Sequence, residues 1–222
     1  MTCLPTNAKK MVANTQLSEL VLASANTGKL REFDRLLLPI GVKVRSQSEF
    51  AVSPADEPFD TFVENALAKA RHASAQTGLP ALADDSGICV PVLGGAPGVR
   101  SARYAQPQPG VDQDLLNNAK LVQALASFDD RRAYYVAVLV FVTRRDDPLP
   151  IIAQGLWMGE VRADPRGDHG FGYDPHFWLP DLGVSAAELD PAEKNRVSHR
   201  GQAMHSLIEQ MSQRGLVSGC TH

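Results

Sequence analysis

Hydrophobic and polar positions in this chain of 222 residues change period from segment to segment, and the changes mark out its elements. Glu19-Leu20-Val21-Leu22-Ala23-Ser24 reads as a short strand, and Ala25-Asn26-Thr27-Gly28 as a turn. Lys29 to Leu38 follows the helical period, with Leu30, Phe33, Leu36 and Leu37 on one side and Pro39 as its stop. Val42 to Arg45 alternates as a strand does, and Ser53 to Asp60, with two prolines and three acids, is a loop. Thr61-Phe62-Val63-Glu64 matches a capping box. It opens a helix that reaches about Gln76 and ends at Gly78, with Phe62, Ala66, Ala70 and Ala73 on its apolar face. Ala81-Leu82-Ala83 predicts a short strand leading into the polar stretch Asp84-Asp85-Ser86-Gly87, with Ile88-Cys89-Val90 as a second apolar segment.

Asp112 caps the next helix, which carries Leu115, Leu116, Leu121, Val122 and Leu125. Ala133 to Thr143 predicts a long β-branched and aromatic strand, Arg144 to Pro148 a turn, and Ile151 to Met158 the returning strand. Gly167 to Asp174 is a glycine-rich loop. Asp190-Pro191 starts a short helix and Ser198 the last one, whose stripe is Ala203, Leu207, Ile208 and Met211. The order is mixed α/β, with one core over most of the chain. Residues 1–18 read as a loose extension, 19–214 as the domain and 215–222 as a tail.

Composition excludes several classes. Hydrophobic residues make up 44% and charged residues 21%, too apolar for a disordered chain. The net charge of −3 provides no overall positive field for a nucleic-acid backbone, so an anionic substrate has to be met by a local cluster. The apolar run Tyr134 to Val142 spans nine residues, against about 20 for a membrane-spanning helix. No secretory signal is visible in Met1 to Leu17. Cys3, Cys89 and Cys220 form no CxxC pattern and no disulfide framework, which makes a reducing cytoplasm the simplest compartment.

Five segments offer chemistry. Ser24 to Lys29 joins a strand to a helix start, where free N–H groups, the helix dipole and Lys29 favour an anion. Taken alone, an ordinary turn with a surface lysine fits somewhat better, and the pattern is not a P-loop. Asp84-Asp85-Ser86-Gly87 sets two acids side by side, which a divalent cation with substrate phosphates would compensate; a plain polar turn is the alternative. Asn65 and Lys69 share one helical face, which is otherwise a solvent face. In Gly167 to Pro175, glycines let a ligand approach the backbone, Phe171 and Tyr173 offer stacking surfaces for a planar base, and Asp174 could accept its hydrogen bonds. Lys194, with Ser198-His199-Arg200-Gly201, puts a basic cluster at two helix starts; His199 suits ligand recognition better than general-base work, because no Ser or Cys nucleophile is paired with it.

Together these segments resemble the inosine/xanthosine triphosphate pyrophosphatases over about Leu20 to Met211. The resemblance is carried by Ser24 to Lys29, Phe62 to Ala70, Ala83 to Gly87, Leu93 to Gly98 with Ser101 to Tyr104, Gly170 to Pro175 and Ser198 to Ala203. Six motifs in order are specific where any one is weak. The Asp-Asp-Ser-Gly form is that of bacterial members.

The resemblance implies an α/β fold with a long, curved mixed sheet flanked by helices, two lobes with the nucleotide cleft between them, and a homodimer. It implies hydrolysis of a purine nucleoside triphosphate to the monophosphate and pyrophosphate with Mg²⁺. By matching position, Asp85 is the expected catalytic carboxylate and metal ligand, with Glu57 as second ligand. Ser24, Ala25, Asn26, Thr27, Gly28, Lys29, Lys69 and Ser86 are expected to hold the triphosphate. Phe171, Gly172, Tyr173, Asp174, Lys194, His199 and Arg200 are expected to form the base and ribose pocket. His169 and Met204 depart from the common pattern without touching these residues. A purine-nucleotide-binding module without hydrolysis, and a Maf-like pyrophosphatase of other nucleotides, are the alternatives.

Overall fold

In the computed structural model, which describes residues 16–218, the elements run β1 (Glu19–Leu22), α1 (Thr27–Leu37), β2 (Lys43–Ser46), α2 (Phe62–Thr77), β3 (Ala81–Cys89), α3 (Gln113–Leu125), β4 (Arg132–Val142), β5 (Ile151–Val161), β6 (Phe177–Leu179), β7 (Val184–Ser185), α4 (Pro191–Val197) and α5 (His199–Gln213). The strands form one mixed sheet in the order β2-β1-β3-β4-β5-β6-β7. It is parallel across β2, β1 and β3 and antiparallel from β3 onward. The expected hairpin is its spine: β4 and β5 pair from Arg132↔Glu160 to Phe141↔Ile151, and β5 runs three residues past the expected end at Met158.

One expectation is corrected at β3. The acidic stretch is not a turn between two short segments. Asp84, Asp85, Ser86 and Gly87 lie inside one strand of nine residues, laddered to β4 at Leu139, Val138, Ala137 and Val136. Turn-prone residues are held extended here because the ladder with a long apolar strand outweighs local propensity. β1 stops at Leu22 and pairs with β3 only at Ala81 and Leu82. Beyond Ala83 that edge of β3 has no named strand beside it among the described residues, and an open edge between parting strands leaves backbone groups for a ligand.

Helices cover both faces. The small residues Ala66, Ala70 and Ala73 let α2 lie close on Ala81, Ala83, Val138 and Val140. Thr61 caps α2 by accepting the Glu64 N–H at 3.3 Å, and Gly78 ends it at φ 70°. On the opposite face, Phe33 and Leu37 of α1 and Met204, Leu207 and Met211 of α5 pack on Leu20, Leu82, Leu139 and Phe141. Each such fully buried Leu or Phe contributes about 1.5–3 kcal/mol. A third cluster joins Leu121 and Leu125 of α3 to Ile88, Tyr135, Trp157 and Phe177.

The packed body passes both expected limits. The Leu17 N–H donates to Leu216 O at 2.7 Å and Val217 is buried. Residues 1–15 and 219–222 of the expected extension and tail, with Cys3 and Cys220, lie outside the described residues. No described helix is long and apolar enough to cross a membrane.

The start of α5 sits directly on β5 at Gly155. A Cβ there would stand 2.0 Å from His199 O and 2.8 Å from Ala203 N, both backbone atoms that cannot swing aside. Gly155→Ala is therefore expected to cost about 1–3 kcal/mol in urea unfolding. An unchanged midpoint would show that α5 is not pinned at this point.

Candidate active site

Successive side chains of a strand point to opposite faces. Asp84 and Asp85, expected to repel each other at one spot, are therefore divided by the sheet. Asp84 faces α1 and α5. Its Oδ2 accepts from Lys29 Nζ at 2.7 Å and from Arg200 Nε at 3.3 Å. Asp85 faces α2, where its Oδ1 accepts from Lys69 Nζ at 2.8 Å. Lys69 also donates to Glu57 Oε1 and to the Asp84 carbonyl, each at 2.9 Å, which uses all three of its protons. The other Glu57 oxygen accepts from Arg103 at 2.9 Å.

The cations are delivered by local structure. Asn26 caps α1, its Oδ1 accepting from the N–H groups of Gly28 at 2.8 Å and Lys29 at 3.0 Å, while Ser24 Oγ accepts from the Asn26 N–H. Two donors expected to meet an anion are thus already satisfied, and the Lys29 ammonium is turned onto Asp84. Arg200, in the first turn of α5, is buried and spans Asp84, Ser86 Oγ at 3.2 Å and Glu32 at 3.4 Å. Asn65 does not join Lys69. It is buried and bonds the Phe59 backbone N–H and carbonyl, closing the loop before α2.

Charge differs sharply across the strand. Burial alone would push the Asp84 carboxyl up, but Lys29 and Arg200 overcome it and hold Asp84 well below the usual carboxylate range. At Asp85 burial wins: its carboxyl is pushed up, Lys69 opposing and Glu57 and Asp84 assisting. Burial would lower Lys69, but Asp85 and Glu57 raise it, so it stays charged. Glu32 is raised by burial against the pull of Arg200. One oxygen of each aspartate, Asp84 Oδ1 and Asp85 Oδ2, is buried with no hydrogen-bond partner among the described residues.

A cleft of about 550 Å³ opens on the Asp84 side of the strand, a size that suits a nucleotide. Asn26, Lys29, Ser86, Phe171, Lys194 and Arg200 stand in its walls. Asp85, Lys69 and Glu57 do not; they form a second cluster on the other face of β3, of which only Ser86 and Gly87 reach the cleft. The glycine loop forms the rim, with Phe171 56% exposed. Asp174, behind it, is buried and saturated: it accepts from Tyr135 Oη at 3.2 Å, from the Phe171 N–H at 2.8 Å, and from Lys194. Tyr173 is an anchor rather than an open stacking surface, since its ring is buried and its hydroxyl donates to Ser101 O at 2.8 Å. His199 lines the cleft stacked on Tyr135 at 4.6 Å, with its pKa driven well below the ordinary value by burial and by the Arg200 charge.

The model of the Ham1 family matches residues 20–210. The chain belongs to the Ham1 family. Its Ham1 relatives include a protein of Bordetella pertussis named dITP/XTP pyrophosphatase, 58% identical over 93% of this chain and 97% of that one. A Ralstonia nicotianae protein of the same name is 62% identical over 88% of this chain and 97% of its own length. A solved Ham1 structure from Coxiella burnetii superposes with a TM-score of 0.83 at 47% identity, covering 89% of this chain and all of that one.

Several residues of this Ham1 site escaped the sequence. Glu32 lies one helical turn past Lys29, a spacing that could have flagged it. Tyr135 sits in an unbroken apolar strand, where nothing distinguishes it. Asp84 was visible only as a neighbour of Asp85, and its pairing with Arg200 spans more than a hundred residues.

Asp84→Asn leaves Lys29 without a counter-charge and the buried Arg200 with Glu32 alone. It is expected to cost about 3–5 kcal/mol in denaturant unfolding. Because the folded pKa of Asp84 lies below the ordinary 3.8, its contribution is fully present above that pH and is lost as pH falls through the folded value. Wild-type stability at neutral pH in the Asn variant would contradict this.

Proposed function

We propose that the chain hydrolyses deaminated purine nucleoside triphosphates (ITP, dITP and XTP) to the monophosphate and pyrophosphate, keeping such nucleotides out of DNA and RNA. The printed names of its relatives support the substrate class. The observation that carries the chemistry is Asp85: a buried carboxylate with a raised pKa, one partnerless oxygen and a lysine fixing the other.

In this proposal the base lies in the cleft and the triphosphate crosses the open edge of β3 beyond Ala83 to its other face, where Asp85 takes a proton from water as the water oxygen attacks the α-phosphorus. The bond from that phosphorus to the bridging oxygen breaks, and pyrophosphate leaves. A raised carboxyl is a better base than an ordinary aspartate, provided the pH stays above its pKa. Lys29 and Lys69 exchange part of their carboxylate contacts for phosphate oxygens, and Ser24, Asn26 and Ser86 add polar contacts. Phe171 stacks on the base. Lys194 and His199 flank it, and Arg200 donates to a 6-oxo group. The 6-amino group of adenine would meet a donor instead, and the 2-amino group of guanine would find no acceptor, each costing roughly tenfold to hundredfold.

The partnerless oxygen of Asp85 fits a hard cation. Among the described residues no three His, Cys, Asp or Glu side chains form a ready cage. A site completed by substrate phosphates needs none. Asp85, with Glu57 beside it, would hold Mg²⁺, which when bound neutralises phosphate charge. Purified protein given ITP, XTP, dITP, GTP and ATP with Mg²⁺ is expected to release pyrophosphate from the first three and little from the last two, and none after EDTA. Orthophosphate as product would contradict the bond assignment. Saturable binding without any product would favour a non-hydrolysing module.

A cytoplasmic homodimer completes the proposal. On the outer face of β5, Ile152, Leu156 and Met158 are 46%, 43% and 64% exposed, an apolar stripe that a second copy would cover. Light scattering is expected to give twice the chain mass, and Met158→Lys to shift it toward the monomer. A wild-type monomer at micromolar concentration would refute the dimer.

A further inference from the structure

The glycine loop at the cleft rim is gripped from α3. The Gly172 N–H donates to Asp114 Oδ2 at 2.7 Å, and Gly172 O accepts from Asn118 Nδ2 at 2.8 Å. Residues one helical turn apart thus hold both backbone polar groups of one glycine, next to Phe171. The helix supplying them is itself tied to β3. Asn117 accepts from the Ala105 N–H at 2.8 Å and donates to Ala102 O at 3.2 Å, and Ser101 Oγ accepts from the Ile88 N–H at 2.9 Å.

Asn118 is an expensive choice if its role is only to pack. It is 6% exposed, and its Oδ1 is buried with no hydrogen-bond partner among the described residues, a state that costs stability. Both carbonyls that it serves, Gly172 O and Asp114 O, require a donor, so the amide is fixed with its NH₂ toward them. Gly172 has φ 64° with open space around it, so nothing at the glycine itself selects its position. Asn118 does not line the cleft, whereas Asp114, Phe171 and Gly172 do, so Asn118 is the member of the pair that can act only through the loop.

We propose that Asn118 and Asp114 are positioning residues, a clamp that sets where Gly172 holds Phe171 over the nucleotide base. This rests on the proposed pyrophosphatase activity. The clamp acts on binding: it fixes a stacking surface and leaves the Asp85 side of the strand untouched.

Asn118→Leu keeps the branched outline, removes the partnerless oxygen and takes away the donor to Gly172 O, so its melting temperature is expected to stay within a few degrees of the parent's. Its KM for ITP is expected to rise about tenfold with kcat within about twofold. Asp114→Ala is expected to behave alike, and Asp114→Asn, which keeps an acceptor oxygen, to restore KM. A parental KM in Asn118→Leu, or a fall in kcat without a change in KM, overturns the clamp. Hydrogen exchange at the Gly172 amide tests it without any activity: Asp114→Ala should speed exchange at least tenfold, and an unchanged rate overturns the clamp even if the chain proves to hydrolyse nothing. Absence of pyrophosphate release together with faster exchange would refute the activity and keep the clamp.

Discussion

The rest of the site depends on the alternation of one strand. Two neighbouring aspartates in β3 would repel strongly if they shared an environment, but the pleat sends them through opposite faces of the sheet. Each then meets a different helix layer and different cations. Asp84 gains Lys29 and Arg200 and is held charged. Asp85 gains only Lys69, which it shares with Glu57, and burial keeps its carboxyl raised. Equal residues become an anchor and, in the proposed reaction, the general base through placement alone.

The anchor also organises the cleft. Lys29 comes from the first turn of α1 and Arg200 from the first turn of α5, so Asp84 draws two helix starts toward one strand. Gly155 lets α5 approach closely enough for this, and His199 stacks on Tyr135 as a consequence. On the far side, Ser101, α3 and the glycine loop form a chain of hydrogen bonds from β3 to the rim. Both walls are thus fixed to the strand that carries the carboxylates.

Much of this was legible in the residues. Starts at Thr61, Asp112, Asp190 and Ser198 and the apolar periods located the α-helices among the described residues, because those signals are local, although α1 begins two residues earlier than expected, at Thr27 with Asn26 as its cap. The long hairpin was legible for the same reason. The sequence failed where distant contacts decide. Asp84 to Gly87 have turn composition, yet the ladder with β4 makes them a strand. The short strands β6 and β7, of three and two residues, carry too little pattern to stand out. Asn65 shares a helical face with Lys69 but is consumed by the Phe59 backbone. Six motifs brought the site residues together as a set, but only the fold divides them between the two faces of β3.

That division is the central claim, and Asp85→Asn tests it most directly when melting temperature and pyrophosphate release from ITP are measured on the same sample. Lys69 keeps Glu57 and the Asp84 carbonyl as partners when Asp85 becomes Asn, so a melting temperature close to the parent's is expected. Turnover should fall by at least about a hundredfold. Retained turnover, or a variant that unfolds as Asp84→Asn is expected to, would show that the two aspartates do not divide the work in this way.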